Sequence, residues 1–497
     1  MGMVLNTNIG SIQAQRALTE SRKEMEIAME RLATGSRING AADDAAGLAM
    51  VERMNTQIRG LTMATRNAND GIALIKTVEN ALVEVSGMLQ RMRELAVQSA
   101  NDTNTPTERA FANNEFNQLQ LEISRVSLNT RYNGAQVLNG SFSAKSLQVG
   151  TESGETLDFS IGNVESTKLG AFIVNGKNTV AVAGTVAATD PTNVVAAAQD
   201  VTLTAGSVTR VIDVEADDSA KAVAKKINAV AGGTQITAEA RTFAWFYTST
   251  ASPTVNGKLS INGYETAAFS ITSNDVSDAI QKINAISTST GVQASSTSDY
   301  KILLSDKDGD DIVITNISDR ADLKVQSLAI DGLTALASDG SDVITLADGN
   351  PAAVGDTVNV RGNLRLSSNS DFTVTQASAD SYFESGLTAA PLINISTVDV
   401  LTRVTASDAL AIIDGAIATT SSMRGGLGTL QNRLEYTVSN LMKVTEFTIG
   451  ARSRIADADF AAETSRLAKA QVLQQAGAAM LAQANGSTDV VLQLIRG

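Results

Sequence analysis

Two long heptad patterns, one near each end of the chain, constrain the fold more than any other feature of the sequence. From Val51 to Ala96, apolar or small residues recur at alternating steps of three and four, with one irregular step at Val78. From Ile413 to Ile455 the same alternation runs without a break. This spacing keeps the residues on one stripe of an α-helix, and such a stripe needs a second helix to cover it. The sequence therefore predicts two long helices, one from each end of the chain, that pair into a rod.

The strongest apolar positions of these stripes are predicted to form the packed seam of the rod. A third helix is expected at residues 109–130. Asp43 or Asp44 is expected to cap the first long helix, because carboxylates favour helix N-termini; general acid–base catalysis is the alternative reading of this pair. The predicted seam residues are Ile58, Leu61, Ile72, Leu82, Leu89, Leu427, Leu434 and Leu441.

Two shorter amphipathic segments lie outside the rod, at residues 5–34 and 464–484, and Gly35 is the expected C-cap of the first. Helices of this length are marginal in water when isolated. We therefore expect both ends to be disordered in the monomer and to become ordered when copies of the chain stack. Residues 485–497 are either a chaperone-binding tail or the end of the last helix. The predicted packing residues are Ile9, Ile12, Met25, Met29, Leu32, Leu467, Leu473 and Met480.

The centre of the chain is rich in Thr, Ser, Val, Asp and Gly, and residues 174–400 hold four of the five prolines. Such a composition favours short strands and turns. A weak repeat, Lys225–Val230 and Gln281–Ile286, predicts two strand–helix units at about 201–240 and 257–316. The apolar runs 302–304 and 312–314 are expected to form a β-hairpin across Asp308-Gly309. The carboxylates in this turn are either a partial calcium loop or a solvated turn; they are Asp306, Asp308, Asp310 and Asp311.

Together these patterns predict an α+β multidomain protein with long paired N- and C-terminal helices and inserted β-rich outer domains. The predicted divisions are 1–43 and 454–497 for the terminal helices, 44–173 and 401–453 for the rod with a β-hairpin, and 174–400 for the outer domains.

The residue types that are missing exclude whole classes of chemistry. The chain has no histidine and no cysteine, so imidazole bases, thiolate nucleophiles and ordinary zinc sites are excluded. Its 39 Lys and Arg against 53 Asp and Glu, a net charge of −14, argue against nucleic-acid binding. We expect no enzyme activity, no cofactor or metal, no membrane insertion and no cleavable signal peptide.

The motifs at both ends resemble those of bacterial flagellins. They are Asn6–Ile9, Leu32–Asn39, Asp43–Leu48, Ala64–Gly71 and Leu89–Ser99 in the first part, and Asp459–Thr464 and Gln471–Gly477 in the last. The resemblance covers roughly 1–173 and 401–497, and the repeated Lys-Ile-Asn-Ala units are similar to a strand–helix motif of flagellin outer domains.

The resemblance implies a structural subunit that polymerises into the flagellar filament for swimming. It implies unfolded export through the flagellar type III apparatus and a location outside the cell. The terminal helices would form the inner tube and the centre would project outward. The implied partners are other copies of the chain, an export chaperone, the filament cap and the hook–filament junction proteins.

Three positions align with residues that contact the flagellin-sensing Toll-like receptor in similar flagellins: Arg91, Leu95 and Glu115. The same helix surface is also expected to pack against neighbouring subunits. Two other functions remain open from the sequence, a hook–filament junction protein and a surface adhesin carried on a helical stalk.

Overall fold

A computed structural model describes residues 7–101, 103–177, 181–184, 191, 195, 200–248, 254–272, 274–297, 299–318, 322–335, 342–347, 353, 355–376, 382–383 and 385–496, with side chains only as far as residue 486. The chain folds into two compact units. The first comprises Met1–Ile75, Ala144–Phe159 and Gly428–Gly497, and the second comprises Lys76–Ser143 and Ser160–Leu427.

Helices dominate both ends of the sequence. In the described residues they are α1 (Ile9–Thr34), α2 (Ala45–Ser99), α3 (Pro106–Asn129), α4 (Ala220–Ala229), α5 (Ala231–Thr234), α6 (Ser277–Asn284), α7 (Ser287–Thr290), α8 (Arg403–Ala456) and α9 (Phe460–Arg496), with a 3-10 turn at Ile395–Thr397.

Strands fill the centre and form two small hairpins near the helices. They are β1 (Arg131–Tyr132), β2 (Ala135–Gln136), β3 (Lys145–Gln148), β4 (Thr156–Phe159), β5 (Gly170–Asn175), β6 (Val182–Ala183), β7 (Val201–Ala205), β8 (Val208–Ile212), β9 (Thr237–Thr248), β10 (Val255–Gly257), β11 (Leu259–Ile261), β12 (Tyr264–Glu265), β13 (Phe269–Ile271), β14 (Val292–Ser296), β15 (Ile302–Asp306), β16 (Ile312–Asn316), β17 (Leu323–Ser327), β18 (Val343–Thr345), β19 (Thr357–Val360), β20 (Asn363–Ser368), β21 (Phe372–Gln376), β22 (Gly386–Ala389) and β23 (Leu392–Asn394).

The sequence explains where the long helices begin and end. The Asp44 carboxylate accepts a hydrogen bond of 2.8 Å from Gly47 N at the start of α2, which is the N-cap expected there. Gly35 ends α1 in the left-handed conformation, with φ of 69°. Thr105 and Glu108 form a reciprocal capping box at the start of α3.

The β-rich part of the second unit consists of antiparallel sheets. The largest has the order β14-β15-β9-β20-β5-β23, with β17 also paired to β9 and β18 paired to β17. A second sheet has the order β12-β11-β16-β19-β6 and a third the order β22-β21-β7-β8. Two buried apolar clusters lie between them; α4 packs into one and α6 into the other.

The two copies of the sequence repeat have the same local structure. In the first, the Asn228 side chain bonds both the N–H and the C=O of Ala238, each at 2.8 Å. In the second, Asn284 bonds both backbone groups of Ala294 at 2.8 and 2.9 Å. Each asparagine thus ties its helix to the strand that follows.

The predicted hairpin between residues 302–304 and 312–314 is wrong. β15 pairs with β14 and β9, whereas β16 pairs with β11 and β19 in a different sheet. The apolar residues of both strands face one shared core, so the two strands lie in opposite layers rather than side by side. Residues 307–311 cross between the layers, and Gly309 adopts φ of 80° where a Cβ would meet Ala240.

Helix α3 presents polar side chains to the interior of the second unit. Gln120 Nε2 donates to the carbonyls of Ile395 and Val398, and the Asn113 carbonyl oxygen accepts from Val400 N at 3.0 Å. Ser127 donates to Leu138 O at 2.7 Å. These bonds satisfy buried polar groups and fix the backbone that leads into α8.

Candidate functional site

Helices α1 and α9 pack antiparallel in the first unit. Near one end Asn8 Nδ2 donates to Ala484 O at 2.9 Å, and near the other Arg31 approaches Glu463. A Cβ placed on Gly477 would lie 3.4 Å from Leu18, so the two helices approach closely there. The covered positions on α1 follow steps of three and four and are mostly small: Ser11, Ala14, Leu18, Ser21, Met25, Ala28 and Leu32.

The predicted terminal packing residues divide between this seam and the outside. Met25, Leu32 and Leu467 are half-buried in it. The others are exposed, with Ile12 at 55% and Met480 at 65%; they are Ile9, Ile12, Met29, Leu473 and Met480. These five apolar side chains therefore point away from the α1–α9 seam.

The predicted rod seam is covered within each unit. In the first unit Leu61, Ala64 and Leu441 form a buried cluster, Leu434 is buried beside Gly71, and Ile58 and Ile72 are half-buried. In the second unit Leu82, Leu89 and Leu427 are buried. The alternation of three and four residues places Val444 in the seam, and this prediction is wrong. Val444 is 40% exposed, and the neighbouring Thr445 is half-buried in its place.

Polar contacts link α2 to α8 beside the seam. In the second unit Arg93 Nε lies 2.6 Å from Asp414 Oδ1, and Arg424 Nε lies 2.8 Å from Glu79 Oε1. In the first unit Arg452 donates to Asn55 at 2.9 Å. These contacts were not predicted, since heptad spacing identifies apolar stripes and says nothing of charge pairs across helices.

The candidate receptor residues meet on α2 and α3. Arg91 Nε lies 2.7 Å from Glu115 Oε1, and Arg91 NH1 lies 2.9 Å from Glu94 Oε2. The hydrogen bond from Arg91 holds the pKa of the Glu115 carboxyl below its usual range. Leu95 is only 2% exposed, because it faces the seam with Met92 and Ala96. The exposed patch therefore consists of Arg91, Glu94 and Glu115.

Large exposed side chains that the sequence reading missed also lie on the helices. Tyr436 and Phe447 on α8 are among the most exposed apolar residues, as are Phe111 and Leu121 on α3. Tyr436 and Phe447 are eleven residues apart and so lie on one face of α8. That spacing was available in the sequence as a second stripe outside the seam.

The acidic turn at residues 306–311 is arranged around a lysine. Lys221 Nζ lies 3.2 Å from Asp308 Oδ2 and 2.7 Å from Asp310 Oδ2, so an ammonium group takes the place a metal ion would need. Asp306 points elsewhere: it accepts the N–H groups of Asp308 and Gly309, and burial raises the pKa of its carboxyl. In the part of the chain that the structure describes, no group of three or more His, Cys, Asp or Glu is placed to hold a metal.

No helix among the described residues is both long enough and apolar enough to cross a membrane.

Comparison with known proteins decides the family. Residues 5–143 match the bacterial flagellin N-terminal helical region, and residues 410–495 match the bacterial flagellin C-terminal helical region. Over the whole of both chains, the sequence is 37% identical to the B-type flagellin of Pseudomonas aeruginosa. The chain belongs to the bacterial flagellin family. It is likewise 33% identical to a flagellin of Salmonella rubislaw and 31% identical to flagellin A of Vibrio cholerae, each over the full length of both.

Membership in this family confirms the predicted α+β fold with terminal helices and the flagellin resemblance. The protein is a structural subunit of the bacterial flagellar filament and not an enzyme. Full-length matches to flagellins favour this identity over the junction-protein alternative.

Proposed function

We propose that the chain assembles into the filament through its terminal helices, with α1 and α9 forming the inner tube. The observation that carries this proposal is the exposure of Ile9, Ile12, Met29, Leu473 and Met480 on the faces of α1 and α9 that point away from the seam between them. Uncovered apolar side chains of this size favour burial against another surface. Other copies of the chain are the surface that a filament supplies.

The rod contributes further subunit contacts. Tyr436 and Phe447 project from one face of α8, and Phe111 and Leu121 project from α3. Aromatic residues of this kind are frequent anchors of protein interfaces. The central β-rich region lies outermost in the filament and carries most of the chain's acidic excess.

The subunit leaves the cell unfolded through the flagellar type III apparatus. An export chaperone holds the C-terminal tail, the cap guides assembly at the distal tip, and the junction proteins connect the filament to the hook. The absence of cysteine supports this route, because no disulfide can lock the chain before export.

The monomer is recognised by the flagellin-sensing Toll-like receptor through Arg91 and Glu115. Leu95 is buried in the seam and stabilises the helix that carries Arg91. Arg91 offers a guanidinium already oriented by two carboxylates, and such a preorganised group loses little freedom on binding. Neighbouring subunits cover this surface in the filament.

The assembly proposal is tested with charged substitutions on the outer faces of α1 and α9. Purified wild-type chain is expected to extend filament seeds into long filaments visible by electron microscopy, whereas Ile12→Asp and Met480→Asp are expected to give none, since each puts a charge into the proposed interface.

The matched controls Gln15→Asp and Gln475→Asp place the same charge at exposed polar positions on the same helices and are expected to assemble. Normal filaments from Ile12→Asp and Met480→Asp would rule out the inner-tube assignment. A wild-type chain that caps seeds without extending them would support a junction protein.

A further inference from the structure

A cavity of about 280 Å³ lies in the second unit between α8 and the largest sheet. Cavities that bind small molecules begin at about 300 Å³, so this one has the size for a single small ligand. Four buried or half-buried isoleucine side chains make its apolar wall, and four polar side chains line it as well. The isoleucines are Ile173, Ile330, Ile393 and Ile412, and the polar residues are Asn175, Asp331, Arg365 and Asp408.

Arg365 brings to this cavity a donor that no described protein group accepts. The residue is only 7% exposed; its Nη1 lies 2.5 Å from Asp408 Oδ1, and its Nε donates to Asn175 Oδ1 at 3.0 Å. Its remaining nitrogen, Nη2, makes no hydrogen bond within the described residues. A guanidinium carries five N–H donors, and a buried donor without an acceptor is costly. The arginine is therefore arranged to donate to an acceptor that occupies the cavity.

Asp408 supplies the complementary acceptor. Its Oδ1 binds Arg365 and lies 4.0 Å from Arg241 Nη1, whereas its Oδ2 accepts no hydrogen bond in the part of the chain that the structure describes. Asp331 adds a second carboxylate, both oxygens of which already accept from its own turn. The cavity lining thus carries one positive and two negative charges. A ligand with an anionic and a cationic group matches this lining better than a simple anion does.

We propose that this cavity binds a free α-amino acid with an aliphatic side chain. The ligand's carboxylate accepts from Arg365 Nη2 and from the side-chain amide of Asn175, and its ammonium group donates to Asp408 Oδ2. Both ionic groups of the ligand are then paired as they leave water, which burial of charge requires. The aliphatic side chain covers the isoleucine wall and loses its own contact with water. This inference does not depend on the proposed assembly role of α1 and α9, which belong to the first unit.

Isothermal titration calorimetry of the full-length monomer with L-leucine tests the site. One molecule is expected to bind per chain. The analogue 4-methylpentanoate lacks the ammonium group, and 3-methylbutylamine lacks the carboxylate. Each analogue is expected to bind roughly tenfold more weakly or worse, because a hydrogen bond to a charged group contributes about that factor.

Two variants alter the cavity in different ways. Asn175→Asp keeps an acceptor for Arg365 Nε but places a negative charge beside the ligand's carboxylate. Ala329→Leu fills the cavity, since the half-buried Ala329 lines it. Each variant is expected to bind L-leucine roughly tenfold more weakly or worse. Asn256→Asp, at an exposed position of β10 that does not line the cavity, is the matched control and is expected to bind as the wild type does.

Failure of the wild-type chain to bind L-leucine saturably would overturn the site and leave a cavity that holds only water. Equal affinity for either analogue would overturn it too, and this comparison needs no variant to fold. So would unchanged affinity in an Ala329→Leu chain whose circular dichroism matches the wild type. An equal loss of affinity in Asn175→Asp and Asn256→Asp would show an effect of net charge alone and would overturn the assigned position of the ligand's carboxylate.

Discussion

Arg91 shows which contacts of a single residue could be predicted from the sequence and which could not. Its contact with Glu115 joins two helices across 24 residues of sequence, which no helical period predicts, and only the family resemblance placed the two side chains in one group. Leu95 was grouped with them by the same resemblance, yet its position beside Met92 and Ala96 already indicated the buried seam. Resemblance alone therefore did not reveal that Leu95 is buried.

Arg91→Ala is expected to reduce receptor signalling by the monomer while leaving thermal stability nearly unchanged. Both side chains of the Arg91–Glu115 pair are about half exposed, and ion pairs this exposed to solvent contribute little to stability. Because the pKa of Glu115 is lowered, this small contribution is present at neutral pH and is lost as the pH falls through that lowered pKa. A receptor-reporter assay and a melting curve measure the two effects.

Arg125→Ala, which removes an exposed arginine paired with Glu122 on α3, is the control. It is expected to signal as the wild type does. Equal loss in both variants would show that the effect is not specific to the Arg91 patch.

At the scale of whole elements, the long helices were predictable because their apolar spacing persists over many turns. The end of α1 at Gly35 and the start of α2 at Asp44 also followed from capping chemistry. The orientation of α1 was not predictable from its apolar spacing. Ile9 and Ile12 face outward, whereas small residues together with half-buried leucine and methionine side chains make the intramolecular seam. Hydrophobicity identifies a stripe to be buried but not whether the same chain or another copy buries it.

Glycines in α8 provide a prediction at this scale. A Cβ at Gly426 meets nothing within 4 Å, whereas a Cβ at Gly415 would lie 2.7 Å from Ala171 Cβ and 2.8 Å from Gly170 O. Gly426→Ala is therefore expected to stabilise the chain by about 0.5–1 kcal/mol, because alanine favours the helix. Gly415→Ala is expected to destabilise it, since the added methyl group forces α8 away from β5.

Urea unfolding of the two variants, followed by circular dichroism, measures whether the free energy of unfolding rises or falls in each. Destabilisation by Gly426→Ala would mean that α8 is not a continuous helix there. No loss in Gly415→Ala would mean that α8 and β5 do not pack closely.

At the scale of the whole molecule, the sequence correctly divided the chain into helical ends and a β-rich centre, because composition changes sharply between them. The sheet order was not predictable, since β9 pairs with strands as distant as β20 and β17. β15 and β16 were misassigned to one hairpin because a favoured turn dipeptide does not show whether two apolar strands pair side by side or face each other across a core.

The pairing of β5 with β23 indicates where the centre of the chain can be removed. β5 and β23 are antiparallel neighbours, with Phe172 opposite Leu392. The chain therefore enters and leaves the central β-rich region at one place. Replacing residues 177–389 by a short Gly/Ser linker is expected to preserve export and polymerisation. Extending the deletion through residue 399 is expected to fail, because it removes the carbonyls of Ile395 and Val398 that Gln120 binds.

Secretion assays and electron microscopy of filaments distinguish the two deletions. If the shorter deletion is secreted but does not polymerise, the central region supplies an assembly contact. If both assemble equally well, the polar contacts of α3 are dispensable.

The polar inner face of α3 also imposes an order in time. Gln120 donates to carbonyl groups that lie 275 and 278 residues further along the chain. Asn113 accepts from a backbone N–H that lies 287 residues further along. A ribosome has finished α3 long before it reaches residue 395, so the early part of a nascent chain cannot complete its native hydrogen bonds. The same delay applies to a chain threading through a narrow channel from either end: docking of α3 is postponed until the last quarter of the sequence is also free. These long-range hydrogen bonds therefore leave α3 undocked until residues 395–400 are also available.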